Sequence, residues 1–399
     1  MNKYNTSNTA FLVTGGTLSY LGDLLYLMAL NVWISRATGS PELLGMIMSI
    51  GSFALFLGNP IGGILADRFD KRTLLFVTDI ISALAVLLTY YFYDHGHVNV
   101  VPILICNVII SFSFAIYSPT SRALAPLVTS GDGIRKLNSL LSVTGEITKI
   151  ASPAIGGLLL ANSLLGERSL ILINSFSFFI SGIMNLFLKL TSNEDLKIEH
   201  TLTYEIKNLV TSYKEIWLKM DEIRLILVPI SLVNLFSGGL HVLLPFLDPT
   251  VSKILYPKYL LAEALGAVIG GTISARLKSD LNWIQSHYLL IFSGIALIGL
   301  HRLLPIELHY VLLFLFGISI AIFNVNFFTV VQKHADEKYI GRIFGLIFTF
   351  ISALVPVGNL LYSKIESWIP GYGITSAGIG MSLSVMVLLI INNKKLRLY

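Results

Sequence analysis

Twelve long apolar runs, separated by shorter polar stretches, constrain this 399-residue chain more than any other feature. They fall near residues 9–35, 41–65, 72–93, 99–127, 138–162, 169–190, 223–247, 256–277, 285–304, 309–332, 340–363 and 372–391. About 20 apolar residues carry one helix across a bilayer, so twelve crossings need roughly 240 residues, and the chain has loops to spare. The runs are too long and too uniformly apolar for the alternation of a membrane barrel. Only 13% of the residues are charged, against about 25% in soluble domains, which rules out an ordinary soluble enzyme. The expected fold class is therefore an all-α membrane protein of twelve transmembrane helices. Cys106 stands alone in an apolar run, which excludes a disulfide framework or a cysteine-based metal cluster. The first nine residues are polar and carry no cleavable signal, so the first apolar segment is expected to be retained.

Orientation follows from the basic residues. With the N-terminus inside, 21 of the 28 Lys and Arg lie on the inner side, 6 lie outside, and Lys149 sits within a span. That bias puts both termini in the cytoplasm of a cell-membrane protein. The net charge of +5 reflects the same bias and is no sign of a nucleic-acid partner.

The longest polar stretch divides the chain into an N-terminal six-helix bundle (1–190), a cytoplasmic linker (191–222) and a C-terminal six-helix bundle (223–399). Within the linker, Ile206, Leu209, Val210, Tyr213, Trp217 and Met220 follow helical spacing, opposite Lys207, Lys214 and Lys219. This fits either an amphipathic helix on the inner membrane surface or a plain tether. An internal repeat supports the division. Gly62-Gly63-Ile64-Leu65-Ala66-Asp67-Arg68 after the second run returns as Gly270-Gly271-Thr272-Ile273-Ser274-Ala275-Arg276 after the eighth, without the acid. Ser152-Pro153-Ala154-Ile155-Gly156 has a weaker echo in Val355-Pro356-Val357-Gly358. Two parallel six-helix halves with a midplane site form a transporter plan.

The segment Gly63-Ile64-Leu65-Ala66-Asp67-Arg68-Phe69-Asp70-Lys71-Arg72, with Leu75 after it, closely resembles the loop 2–3 signature of the major facilitator superfamily, with Asp70 in place of its second glycine. Ser19-Tyr20-Leu21-Gly22-Asp23, Thr38-Gly39-Ser40, Ser118-Pro119-Thr120-Ser121-Arg122-Ala123 and Tyr339-Ile340-Gly341-Arg342-Ile343-Phe344 resemble the macrolide-efflux-like drug exporters of that superfamily. Thr148, Ser152, Pro153, Gly156 and Gly157 resemble its antiporter motif, with Thr and Ser replacing the first two glycines. The resemblance implies that this helix seals one side against leak and accompanies export. It also implies that Asp67, Arg68, Lys71 and Arg72 hold the cytoplasmic side closed. An inside-positive loop is the plainer account of the three cations.

An ionisable side chain at the bilayer centre costs at least about 2.5–3.5 kcal/mol, so each needs a partner or a task. Asp23, in the middle of the first span, is suited to carrying a proton or to capping a polar pocket. Glu146 and Lys149, three residues apart, face one side of the fifth span. They form either a self-neutralising pair or a site where Lys149 holds a substrate carboxylate and Glu146 an amine or proton. Asp79 in span three is expected to form a structural ion pair with Arg122 in span four. Glu263 in span eight, below Tyr256 and Tyr259, is a second protonation site, an outer-gate contact or an interfacial acid. His241 in span seven is a pH-sensing group or a satisfied lone histidine. Asn234, Asn324 and Asn326 line a pocket or join helices.

The sequence has no phosphate loop, zinc-spaced His/Cys set or nucleophile elbow, so no enzymatic activity, cofactor or metal is expected. Energy then comes from an ion gradient, with protons fitting the buried acids and sodium the alternative. No arginine-rich voltage-sensing span is present, against a gated channel. The expected function is proton-coupled export of a small charged or zwitterionic metabolite. Asp23, Glu146 and Lys149 point to an amphoteric cargo, and known exporters of that kind include those for opine-type metallophores such as staphylopine. The expected partners are that substrate, protons and the bilayer, and the expected state is a monomer. A multidrug or macrolide antiporter, a proton-coupled importer and a non-transporting sensor or scaffold are the competing readings.

Overall fold

The structure is a computed structural model that describes residues 3–94, 97–129, 132–162, 165–189, single positions from 204 to 218, 221–248, 254–277, 281–334, 347 and 349–396. Twelve long helices run through them: α1 (Lys3–Thr38), α2 (Pro41–Arg68), α3 (Lys71–Tyr91), α4 (Val100–Ala123), α5 (Asp132–Ala161), α6 (Gly166–Leu186), α7 (Asp221–Leu243), α8 (Leu255–Arg276), α9 (Trp283–Ile298), α10 (Ile306–His334), α11 (Val355–Trp368) and α12 (Gly373–Leu396). A single turn at Ala125–Val128 follows α4, and a short 3-10 turn at Leu244–Phe246 follows α7. Among the described residues, seven helices are long and apolar enough to cross a membrane.

The joints follow local chemistry. Gly39 closes α1 at φ +60, a left-handed conformation that glycine adopts without strain. The Ser40 hydroxyl then accepts from the Leu43 amide, and Pro41 opens α2 where no amide partner is needed. Asp70, the residue that departs from the family signature, is the N-cap of α3. Its carboxylate accepts from the Thr73 amide at 2.8 Å and the Thr73 hydroxyl at 2.7 Å. Partial burial pushes the Asp70 carboxyl up, but those hydrogen bonds and the nearby charges of Arg72 and Lys71 outweigh it and hold the group below its ordinary value. At α9, Asn282 and Gln285 form a reciprocal capping box. The eleventh apolar run is interrupted at Leu354, just before Pro356, so α11 begins later than the hydropathy alone predicts.

Two compact units are present. One comprises Met1–Trp33 and Ile50–Thr211, the other Ile34–Ser49 and Ser212–Tyr399. Within the first, α3 packs on α4 and α6, and α5 packs on α6. Within the second, α9 packs on α10 and α12, and α11 packs on α12. This is the same pattern six helices on, the structural form of the internal repeat. Its glycines explain why. A methyl group on Gly62 would overlap the Ala115 carbonyl of α4, and one on Gly270 would overlap the Ile318 carbonyl of α10. Gly63 and Gly271 face open space. Each Gly-Gly pair therefore contains one glycine needed for close helix approach and one that is not.

The described linker positions include Tyr204, Val210 and Leu218, all exposed, and the Thr211 hydroxyl bonds back to the Lys207 carbonyl. Ile206, Leu209, Tyr213, Trp217, Lys219 and Met220 lie outside the described residues, as do Tyr339–Phe344.

Candidate functional site

Polar side chains on four apolar helices converge inside the first unit. The close approach of α1 to α6 rests on Gly22, where a methyl group would collide with the Ser177 hydroxyl and the Asn174 amide. One residue on, Asp23 is half-buried, with Asn174 as a polar neighbour. Asp23 and Asp79 of α3 line one cavity of about 40 Å³, together with the side chains of Ser19, Ser82, Ser113 and Tyr117. That volume has room for a few water molecules. The Tyr117 hydroxyl is buried with no hydrogen-bond partner among the described residues.

Asp79 is 1% exposed and accepts from the Ser181 hydroxyl at 2.8 Å and the Asn185 amide at 2.9 Å. The ion pair expected with Arg122 is not formed. Arg122 is exposed at the C-terminal end of α4, and Asp79 turns toward α6 because that helix presents neutral donors to it. Asp79 thus joins Asp23 at the cavity rather than Arg122. A stripe of Asn174, Ser177, Ser181 and Asn185 at helical spacing on α6 carried this signal, unread in the sequence.

The Glu146 and Lys149 side chains meet at 2.7 Å on α5 and remain 54% and 47% exposed. Tyr20, which also lines the cavity, is within electrostatic range of Lys149, Glu146 and Asp23. On the same helix, Thr148, Ser152, Pro153 and Gly156 are buried, and Gly156 faces Leu25 and Met28 of α1. Gly157 is half-buried. At Gly156, the small face of the antiporter-like segment therefore serves α1–α5 packing.

At the α2–α3 joint, Lys71 is buried and Arg68 half-buried. Arg72 lies 3.8 Å from Asp70 and donates to the Leu188 carbonyl at 3.4 Å. The side chain of Asp67 lies outside the described residues.

The second unit separates the remaining candidates. Asn326 is not a pocket liner: it accepts from the Leu281 amide and donates to the Leu281 carbonyl and the Ser286 hydroxyl, so its amide is spent joining α10 to the start of α9. Asn234 donates to the Ile230 carbonyl of its own helix at 2.8 Å, and Asn324 is exposed. His241 is not solitary, since its Nε2 lies 3.9 Å from Glu263 Oε1. Glu366 was not foreseen. It is buried at the end of α11 and accepts from Arg302 at 2.6 Å and from the Gly371 and Gly373 amides at 2.8 Å each. An acid followed five and seven residues later by glycines was its only mark in the sequence.

Residues 12–359 match the sequence profile of the Major Facilitator Superfamily. The chain belongs to that superfamily. As a member it is a multi-pass membrane transporter and not an enzyme. Superfamily relatives include the uncharacterised MFS-type transporter YfiS of Bacillus subtilis, 24% identical, with 96% of this chain and 90% of that protein aligned. Macrolide efflux protein A of Streptococcus pyogenes is 24% identical, covering 90% of each chain. The enterobactin exporter EntS of Shigella boydii is 25% identical over 80% of this chain and 76% of its own. Among solved structures, the nucleoside transporter NupG aligns with a TM-score of 0.74 at 13% identity, covering 96% and 99% of the two chains. The D-xylose-proton symporter aligns with a TM-score of 0.76 at 12% identity, covering 97% of each. At such identities these two structures establish the superfamily fold and nothing finer.

Proposed function

We propose that this transporter is a proton-coupled exporter of a small charged or zwitterionic metabolite, with opine-type metallophores such as staphylopine as the cargo class. The observation that carries the reading is the Glu146–Lys149 contact, made by two half-exposed charges within the part of α5 from Leu140 to Ala161, which carries no other charged residue. A bare charge facing lipid costs several kcal/mol, so an exposed pair belongs on an aqueous path. Without cargo the two neutralise each other. A zwitterion substitutes for both at once: its carboxylate takes Lys149, its amine takes Glu146, and no charge is left uncompensated. Tyr20 stands between this exchange and the Asp23–Asp79 cavity, which supplies the exchangeable proton. Export then proceeds by alternating access of the bundles 1–190 and 223–399, in the cell membrane, with both termini cytoplasmic and the protein acting as a monomer. Similarity to efflux and exporter proteins supports the outward direction.

The test compares small molecules inside and outside cells with and without the protein, under metal starvation, by mass spectrometry. A polar amphoteric metabolite retained inside the deletion strain is the expected result. Similarity to macrolide efflux protein A favours a second reading, efflux of apolar drugs. Unchanged metabolite pools with new sensitivity to hydrophobic antibiotics would establish it in place of the first.

A further inference from the structure

His241 and Glu263 face each other from α7 and α8 in the second unit, with Nε2 and Oε1 at 3.9 Å. Their surroundings differ. The imidazole is 53% exposed and the glutamate 20%. The other carboxyl oxygen of Glu263, Oε2, is buried and has no hydrogen-bond partner among the described residues. An ionised carboxylate with a bare buried oxygen is costly, whereas the neutral acid is tolerated better. An imidazole can both take up and release a proton, and His241 lies in the last turn of α7. An exposed imidazole beside a sheltered acid is the geometry of a proton shuttle.

The neighbouring elements leave this pair to itself. α11, packed on α7, brings Tyr362, Lys364 and Glu366; Lys364 lies over the Trp368 ring, and Glu366 is already held by Arg302 and two backbone amides. α10, packed on α8, brings Glu307, His309 and Tyr310 in its first turns, and the His309 ring contacts the His301 carbonyl. α12, packed on α7, carries no titratable side chain over Gly373–Ile390. Lys258 and Tyr259 belong to α8 itself, and Asp248 follows the 3-10 turn, within electrostatic range of Tyr259.

We propose that His241 and Glu263 form a proton-loading pair in the second unit, separate from the Asp23–Asp79 cavity of the first. Water delivers a proton to the imidazole, giving imidazolium. The Nε2–H bond then breaks as an O–H bond forms on Glu263 Oε1, leaving a neutral imidazole and a neutral acid. The 3.9 Å gap closes by rotation of the exposed ring. This step rests on the proton-coupled reading above and gives it a second proton per cycle.

The test uses the full chain in liposomes without cargo, followed by infrared difference spectroscopy as external pH falls from about 8 to about 5.5. Wild type should gain a carboxylic-acid carbonyl band. Glu263→Gln should lose the Glu263 component of that band and leave any part due to Asp23 and Asp79, and Glu263→Asp, a control against misfolding, should keep that component at a shifted frequency. His241→Gln and His241→Asn should reach the same band but at least about tenfold more slowly after a pH jump, with added imidazole restoring the rate. An unchanged band in Glu263→Gln, an unshifted one in Glu263→Asp, or loading at the wild-type rate in either histidine variant overturns the proposal. Because no cargo is present, an error in cargo identity cannot mimic these results. Wild type that loads protons yet exports nothing under a pH gradient would overturn the transport reading alone.

Discussion

Asp23 of α1 and Asp79 of α3 open onto the same cavity, and Asp79 is fixed there by Ser181 at 2.8 Å and Asn185 at 2.9 Å. Two carboxylates in so small a space disfavour joint ionisation, which suits the pair to hold one exchangeable proton. Asp79 is anchored by two donors, so in the proposed cycle Asp23 is the member of the pair that exchanges its proton.

Asp23→Asn should therefore leave the protein folded and abolish export driven by a pH gradient, while exchange of cargo for cargo persists. Asp79→Ala should instead lower thermal stability, since two buried donors lose their acceptor at about 1–3 kcal/mol each. Vesicle flux assays and melting in detergent separate the two. Equal loss of folding in both would refute the division.

Lys149→Met removes a charge-assisted contact to cargo worth about 1.5–3 kcal/mol, which predicts an increase in apparent cargo Kd of roughly ten- to a hundredfold. The half-exposed pair itself contributes little to folding, so Tm should barely move. Transport assays on the purified variant check the first, and differential scanning the second. Full activity would turn the lysine into a structural residue and favour apolar drug cargo.

The repeat glycines should behave as unlike pairs. Gly62→Ala and Gly270→Ala force α2 from α4 and α8 from α10, and should each destabilise the fold. Gly63→Ala and Gly271→Ala meet open space and should be neutral or gain about 0.5–1 kcal/mol from helix propensity. Melting of the four variants in one detergent decides it.

Glu366→Ala leaves Arg302 and two glycine amides without their acceptor, at a cost of about 3–5 kcal/mol. Lower yield and a lower Tm are expected, with partial recovery in Glu366→Gln. An unchanged melt would mean that water replaces the carboxylate.

Asp70 predicts a mild acid sensitivity at the α2–α3 joint. Its folded-state carboxyl lies below the ordinary value, so its stabilising effect is present above that ordinary value and lost as pH falls through the lowered one. Asp70→Asn keeps a capping oxygen and should flatten that acid limb, whereas Asp70→Ala should also cost about 0.5–2 kcal/mol at neutral pH. Acid melts of the two variants report both effects.

By itself, the sequence determined the all-helical fold, the superfamily signature and the presence of Asp23, Glu146, Lys149 and Glu263 among apolar residues. Hydropathy, glycine placement and helical spacing are local properties, and a bilayer makes them nearly sufficient for the number and type of elements. The Glu146–Lys149 contact was legible for the same reason, because one turn of helix brings them together. Partnership across helices was not. Asp79 took Ser181 and Asn185 in place of Arg122, Asn326 spent its amide on α9, and His241 met Glu263. Each outcome depended on which faces of which helices touch, and small residues such as Gly22, Gly62 and Gly270 set those approaches. Tertiary structure decided the site because a polar side chain in an apolar helix bonds whatever donor or acceptor packing places within reach.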